Sequence, residues 1–143
     1  MFTFELAWFR LDLPDHASVE VMTSPPNPLF PEAPVTTRWT LSLERFEIEA
    51  HLSATRDLSD LSRMAAEDRT LKVEPFNRNG IPGLSCGDYD RDRTQIDWWF
   101  YLHGLTLSLT LSAKGYPRTL PTDAERAEHR AIIDSVRRIN LID

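Results

Sequence analysis

The 143-residue chain has one cysteine, five glycines and no long apolar run, and each scarcity removes a class of protein. Cys86, alone, can form neither an internal disulfide nor a thiolate metal cage, which fits a reducing compartment. The first thirty residues carry charges every few positions and no apolar block of seven or more. Neither a secretory leader nor a membrane-inserting segment is therefore expected, and the expected location is cytoplasmic. No glycine-rich phosphate cradle exists, and His16, His51, His103 and His129 form no H-x-H or H-E-x-x-H pair, so no cofactor and no metal site is expected. What remains is ordinary for a globular protein, 41% apolar and 27% charged. A single domain over residues 1–143 can bury roughly two thirds of its unfolded surface around one core.

The formal charge of −6 is unevenly spread. Residues 1–50 hold eight acids against three bases, whereas residues 101–143 hold five acids against six bases. Such a surface repels a phosphate backbone, which disfavours nucleic acid, and attracts a basic protein. Its plainer use is solubility.

The clearest organisation lies between Trp98 and Ile139. Leu105, Leu107, Leu109 and Leu111 alternate with Thr106, Ser108, Thr110 and Ser112, the pattern of a half-buried strand. Before it, residues 98–102 place bulky groups on both faces of a strand, and His103-Gly104 has the length of a hairpin loop. Thr122 and Glu125 form a capping-box pair, and Ala124, Ala127, Ala131, Ile132, Ser135, Val136 and Ile139 have helical spacing. Arg137 and Arg138 then fall where a helix dipole favours positive charge.

Earlier in the chain the parity of apolar residues switches twice. Phe2, Phe4, Leu6 and Trp8 share one face and Phe9, Leu11 and Leu13 the other, so this strand bulges near Trp8 or is buried on both faces. Trp39, Leu41 and Leu43 give way to Phe46, Ile48 and Ala50 at Glu44-Arg45, which means a hairpin turn or a bulge, the bulge being favoured because that pair is poor turn chemistry. A short strand is expected over Val19–Met22. Half of the ten prolines lie in residues 24–34, with Pro25, Pro28, Pro31 and Pro34 at the three-residue period of polyproline II. That loop is either a rigid crossover or a docking surface around Phe30. A short helix is expected from Asp57 to about residue 68, a strand from Thr70 to Phe76, a turn at Asn79-Gly80 extended by Ile81-Pro82-Gly83, and a strand from Leu84 to Tyr89. Residues 88–97 make a charged connection.

No motif carries a reaction. Gly83-Leu84-Ser85-Cys86-Gly87 has the letters of a nucleophile elbow without the strand before and the helix after. Asp88, Asp90 and Asp92 begin a calcium loop, but Arg93 and Trp99 stand where glycine and a bidentate acid are needed. Two alternatives stay open: an enzyme, if the fold assembles His51, His103 and Cys86, and a small-ligand carrier, if it leaves a pocket between sheet and helix. Trp98 and Trp99 must point to opposite faces, as must Phe100 and Tyr101, so one aromatic pair reaches whichever face is uncovered. Glu47, Glu49, His51 and Ser53 form an outward polar stripe.

The order of elements resembles the PsbP/DcrB-type fold. The likeness rests on a first strand ending in Leu13-Pro14-Asp15, the Val19–Met22 strand, a middle helix and Gly80-Ile81-Pro82-Gly83 before a strand. It continues through the aromatic strand, the leucine-threonine strand and the helix carrying Ile132 to Arg137. The resemblance implies an α+β protein, an α/β/α sandwich with a central antiparallel sheet and a C-terminal amphipathic helix, used mostly for binding rather than catalysis. Cytoplasmic bacterial members of this size are similar to accessory proteins of contact-dependent toxin delivery, such as type VI secretion. Some are immunity proteins that mask a toxin, and others are Eag-type chaperones that hold an effector. The implied partner is a protein, contacted through Glu47, Glu49, Trp98, Trp99, Tyr101 and Phe30. A chaperone role further implies an apolar groove in a homodimer.

Overall fold

The computed structural model describes residues 1–23, 28–29, 31, 37–54, 59, 63, 73–86, 96–115 and 120–139. Among these, ten strands form two antiparallel sheets beside one complete helix, an α+β architecture dominated by antiparallel sheet. Strands β1 (Phe2–Leu6), β2 (Phe9–Leu13) and β10 (Arg137–Arg138) make the small sheet, in the order β1-β2-β10. The large one contains β3 (Ser18–Thr23), β4 (Thr37–Ser42), β5 (Phe46–Ala54), β6 (Val73–Arg78), β7 (Ile81–Cys86), β8 (Ile96–Leu102) and β9 (Leu105–Ala113). Its order is β3-β4-β5-β9-β8-β7-β6. Helix α1 spans Asp123–Asp134. Among the described residues no helix is long and apolar enough to cross a membrane.

The leucine alternation in β9 sets the core. Ile96, Leu111, Ile48, Leu41 and Val19 form one row across the large sheet, and Trp98, Leu109, Ala50, Trp39 and Val21 form the next. The small sheet and α1 cover this inner face, contributing Leu6, Phe9, Leu11, Leu13, Ile132, Ile133 and Val136 to one cluster with it. Removing each such side chain from water stabilises the fold by about 2 kcal/mol. Two contacts pin the layers. Phe46 meets His129 of α1 edge-on with ring centres 4.9 Å apart, and Trp8 meets His103 with ring centres 6.5 Å apart.

Several expectations hold at residue level. His103 and Gly104 have φ of 49° and 80°, and Asn79 and Gly80 have 54° and 79°, the paired positive angles of tight hairpins. Thr122 accepts a hydrogen bond from the Glu125 amide at 3.2 Å while Glu125 accepts from the Thr122 amide at 2.9 Å, closing the capping box. The Val19–Met22 strand is present as β3.

Others are corrected. The switch near Trp8 is a hairpin turn, Ala7-Trp8, with Ala7 at φ 50°, and not a bulge or a doubly buried strand. Glu44-Arg45 is also a hairpin turn, closed by Leu43 N–H to Phe46 O at 2.9 Å. Lys114 compensates its poor turn chemistry, donating its amide to Arg45 O at 2.9 Å and its ammonium to Leu43 O. Ile81-Pro82-Gly83 belongs to β7 and does not extend the bend. Pro82, lacking an N–H, marks where pairing with β8 stops, since that ladder begins at Gly83. The last helix ends at Asp134, so Arg137 and Arg138 pair with Arg10 and Phe9 of β2 and do not cap a helix. Its buried side carries His129, Ile132 and Ile133, while Ala124, Ala127 and Ala131 are exposed. The expected helix from Asp57 lies outside the described residues apart from Ser59 and Arg63, both helical and exposed. The proline-rich loop with Phe30 and the charged connection before Ile96 also lie outside them, except for Pro28, Leu29 and Pro31.

Candidate partner-binding face

The outer face of the large sheet is built by the same registers that build its core. Successive residues of a strand point to opposite faces, so each buried leucine of β9 alternates with an outward hydroxyl. Glu20, Thr40, Glu49, Thr110, Asp97 and Cys86 align in one row. On one side of it lies Ser18-Ser42-Glu47-Ser112, and on the other Met22-Arg38-His51-Ser108-Trp99-Leu84. These rows hold four carboxylates against one guanidinium. Arg38 stands 3.7 Å from Glu49, and Thr110 donates its hydroxyl hydrogen to Asp97 at 2.6 Å.

The face has two unlike halves. Toward β7, Cys86 and Thr106 are buried, and Leu84 packs with Val73, Trp99 and Tyr101 as a small apolar cluster. Toward β3, Glu20, Met22 and Arg38 are exposed and Glu47, Glu49 and His51 half-buried. Charge therefore concentrates on β3-β4-β5 and apolar area on β6-β7-β8.

The two tryptophans split as alternation requires. Trp98 faces the core and Trp99 the outer cluster, with Tyr101 beside it. Glu47 and Glu49 share the outer face with Trp99 and Tyr101, whereas Trp98 is on the far side of the sheet from them. His51, His103 and Cys86 are not assembled. Three strand spacings, roughly 14 Å, separate β5 from β7, and His103 sits in the β8–β9 turn against Trp8. Among the described residues no three His, Cys, Asp or Glu side chains are placed to hold a metal ion. Ser85 lies mid-strand, paired with Glu74 and Trp98, which is not the geometry of an elbow.

Comparison of the chain with protein-family models, curated proteins and solved structures finds no match.

A second concentration of ionisable groups lines a cleft of about 380 Å³ between the β4–β5 turn and the start of α1, where His16, Arg45, Glu125, Glu128 and His129 converge. Here the charges are spent on holding elements together. Arg45 donates through Nε to Glu125 at 3.0 Å, and His16 lies 2.9 Å from Glu128. The Arg45 guanidinium, followed by the capping-box bonds from Thr122, draws the Glu125 carboxyl down to about 2. Burial lowers His129, opposed by the charges of Glu128 and Glu125. Sequence reading found neither Glu20 and Arg38 nor this cleft. Glu20 and Met22 share an outward parity in β3, but their neighbours depend on registers that no local pattern encodes.

Proposed function

We propose that this chain is a non-catalytic protein-binding domain that masks a basic partner with the acidic half of its outer face. Within the resemblance to PsbP/DcrB-type α/β/α proteins, this is the immunity role, blocking a cognate toxin in the bacterial cytoplasm. The observation that carries the reading is the alignment of Glu20 and Glu49 in one row beside Glu47, with Arg38 as the one cation in those rows. Glu20 and Glu49 lie two strands apart with Thr40 between them, and Glu47 is two residues along β5. Three carboxylates thus share a patch holding one guanidinium, which suits a partner bearing positive charge. The antiparallel sheet and the closing helix fit the α+β class that the resemblance implies. The exposed acidic half favours immunity over an Eag-type chaperone, whose grip would rest on apolar area.

The test is affinity capture of the tagged chain from its native cells, with and without Glu47→Lys plus Glu49→Lys, read by mass spectrometry and then by titration of the purified pair. A basic partner captured by the parent and weakened about a hundredfold by the double reversal supports masking by charge. A partner held equally by both proteins refutes it and favours the chaperone reading.

A further inference from the structure

Strand β3 ends the seven-stranded sheet, and among the described residues no strand pairs with its second side. Among the described residues β3 pairs with β4 alone, so every second residue from Ser18 to Thr23 directs its N–H and C=O away from the sheet. Natural edge strands are guarded by proline, a bulge, lysine or a covering element. The opposite edge, β6, carries Pro75. On β1 of the small sheet, the outward Thr3 bonds Asp12 at 3.0 Å and Glu5 bonds Arg10, while Phe2 and Phe4 pack on the core. β3 has no proline and no lysine, and its one charged side chain is Glu20. Val21 is 59% exposed and Met22 66% exposed, on opposite faces, with Glu20 between Val19 and Val21.

We propose that β3 takes an added strand: an extended segment of a protein partner that alternates basic and apolar residues. The proposal rests on the acidic-face reading above and names the chemistry of the segment that reading requires. An eighth strand beside β3 would place one set of its side chains on the outer face, about 5 Å from Glu20, and the other set against Val19 and Val21. Lysine or arginine suits the first set and valine, isoleucine or leucine the second. Main-chain hydrogen bonds would supply affinity and the alternation would supply register. A second copy of this chain suits the edge less well. It would bring another Glu20 and another net charge of −6 against the same acidic face.

The probe is a capped hexapeptide alternating lysine and valine, titrated into the 15N-labelled full chain. Expected are amide shifts centred on Ser18–Thr23, slowed hydrogen exchange in β3 and an affinity about tenfold lower for Glu20→Lys. Two complementary versions of the peptide, N-methylated at alternate residues, test the backbone. One of them loses binding if a strand is added, and retention by both overturns the proposal. Shifts on β5 and β9 with β3 silent overturn strand addition while leaving the acidic-face reading intact. Equal binding of a glutamate-valine hexapeptide removes the charge argument. Doubled mass in sedimentation without peptide, abolished by Met22→Lys, makes a second copy the occupant and overturns the basic partner. No binding of any peptide also overturns strand addition. The acidic-face reading then stands or falls on the Glu47 and Glu49 reversal with the captured partner.

Discussion

The ring of Phe76 lies over the α-carbon of Gly83, its neighbour across β6 and β7. A Cβ built on Gly83 would fall 2.5 Å from the Phe76 Cζ and 2.1 Å from the carbonyl oxygen of Trp99. This is a close approach between three strands, sealed by an aromatic ring that in turn meets Phe100 edge-on at 5.0 Å. Gly83→Ala is therefore expected to destabilise the fold by about 3 kcal/mol, measured by urea denaturation. Adding Phe76→Ala should not restore the loss, because the backbone oxygen of Trp99 remains.

Asn79 has two separable duties. Its positive φ makes the β6–β7 turn, and its amide donates to Asp134 O at 2.9 Å and Val136 O at 2.8 Å, tying that turn to the end of α1. Asn79→Gly keeps the backbone angle and removes both bonds. A loss of about 1–2 kcal/mol is expected, with faster amide exchange confined to the last turn of α1 and β10. Unchanged stability would show that water replaces the bonds without cost.

Acid should weaken the protein in two steps. His129 titrates lower in the folded state than its ordinary 6.5, so the unfolded chain binds the proton first and stability falls as pH drops below 6.5. Glu125 has a folded value of about 2 against an ordinary 4.5, so its contribution is complete above 4.5 and is lost as pH falls from 4.5 toward 2. Thermal melts from pH 8 to pH 2 should show His129→Phe removing the upper step and Glu125→Gln reducing the lower one, to which Asp12, held below its ordinary value by Arg137, also contributes. Loss of stability on raising pH through 6.5 would contradict this account.

Charge reversal on the outer face should leave folding nearly untouched. Glu47 and Glu49 are partly exposed, and among the described residues Glu49 is paired with Arg38 at 3.7 Å. Glu47→Lys plus Glu49→Lys is expected to unfold within about 1 kcal/mol of the parent, by denaturant titration. Binding losses in that variant then report on the interface.

Local chemistry was legible wherever a few adjacent residues settle the outcome. The leucine-hydroxyl alternation of β9, the His103-Gly104 and Asn79-Gly80 turns and the Thr122–Glu125 box all read directly from short windows. Turns made by distant residues did not. Glu44-Arg45 turns with Lys114 bonding the carbonyls of Arg45 and Leu43, and Ala7-Trp8 carries no glycine or asparagine to announce it. The small sheet was invisible because β10 is two arginines, recognisable as a strand only beside β2. Of the candidate face, Glu47 and Glu49 were evident from parity. Glu20, Arg38 and Asp97 joined them only through pairing between strands far apart in the chain.

The pairing of Arg137 and Arg138 with β2, extended by Ile139 N–H to Trp8 O at 2.8 Å, has a consequence for biosynthesis. The lid over the inner leucines needs residues from both extremes of the described chain, so it cannot close until residue 139 has left the ribosome. Throughout elongation the nascent sheet keeps its oiliest side wet, the condition under which chaperone capture competes with folding. A nonsense mutation upstream of residue 137 should therefore yield a sticky, protease-sensitive product and not a slightly shortened native one.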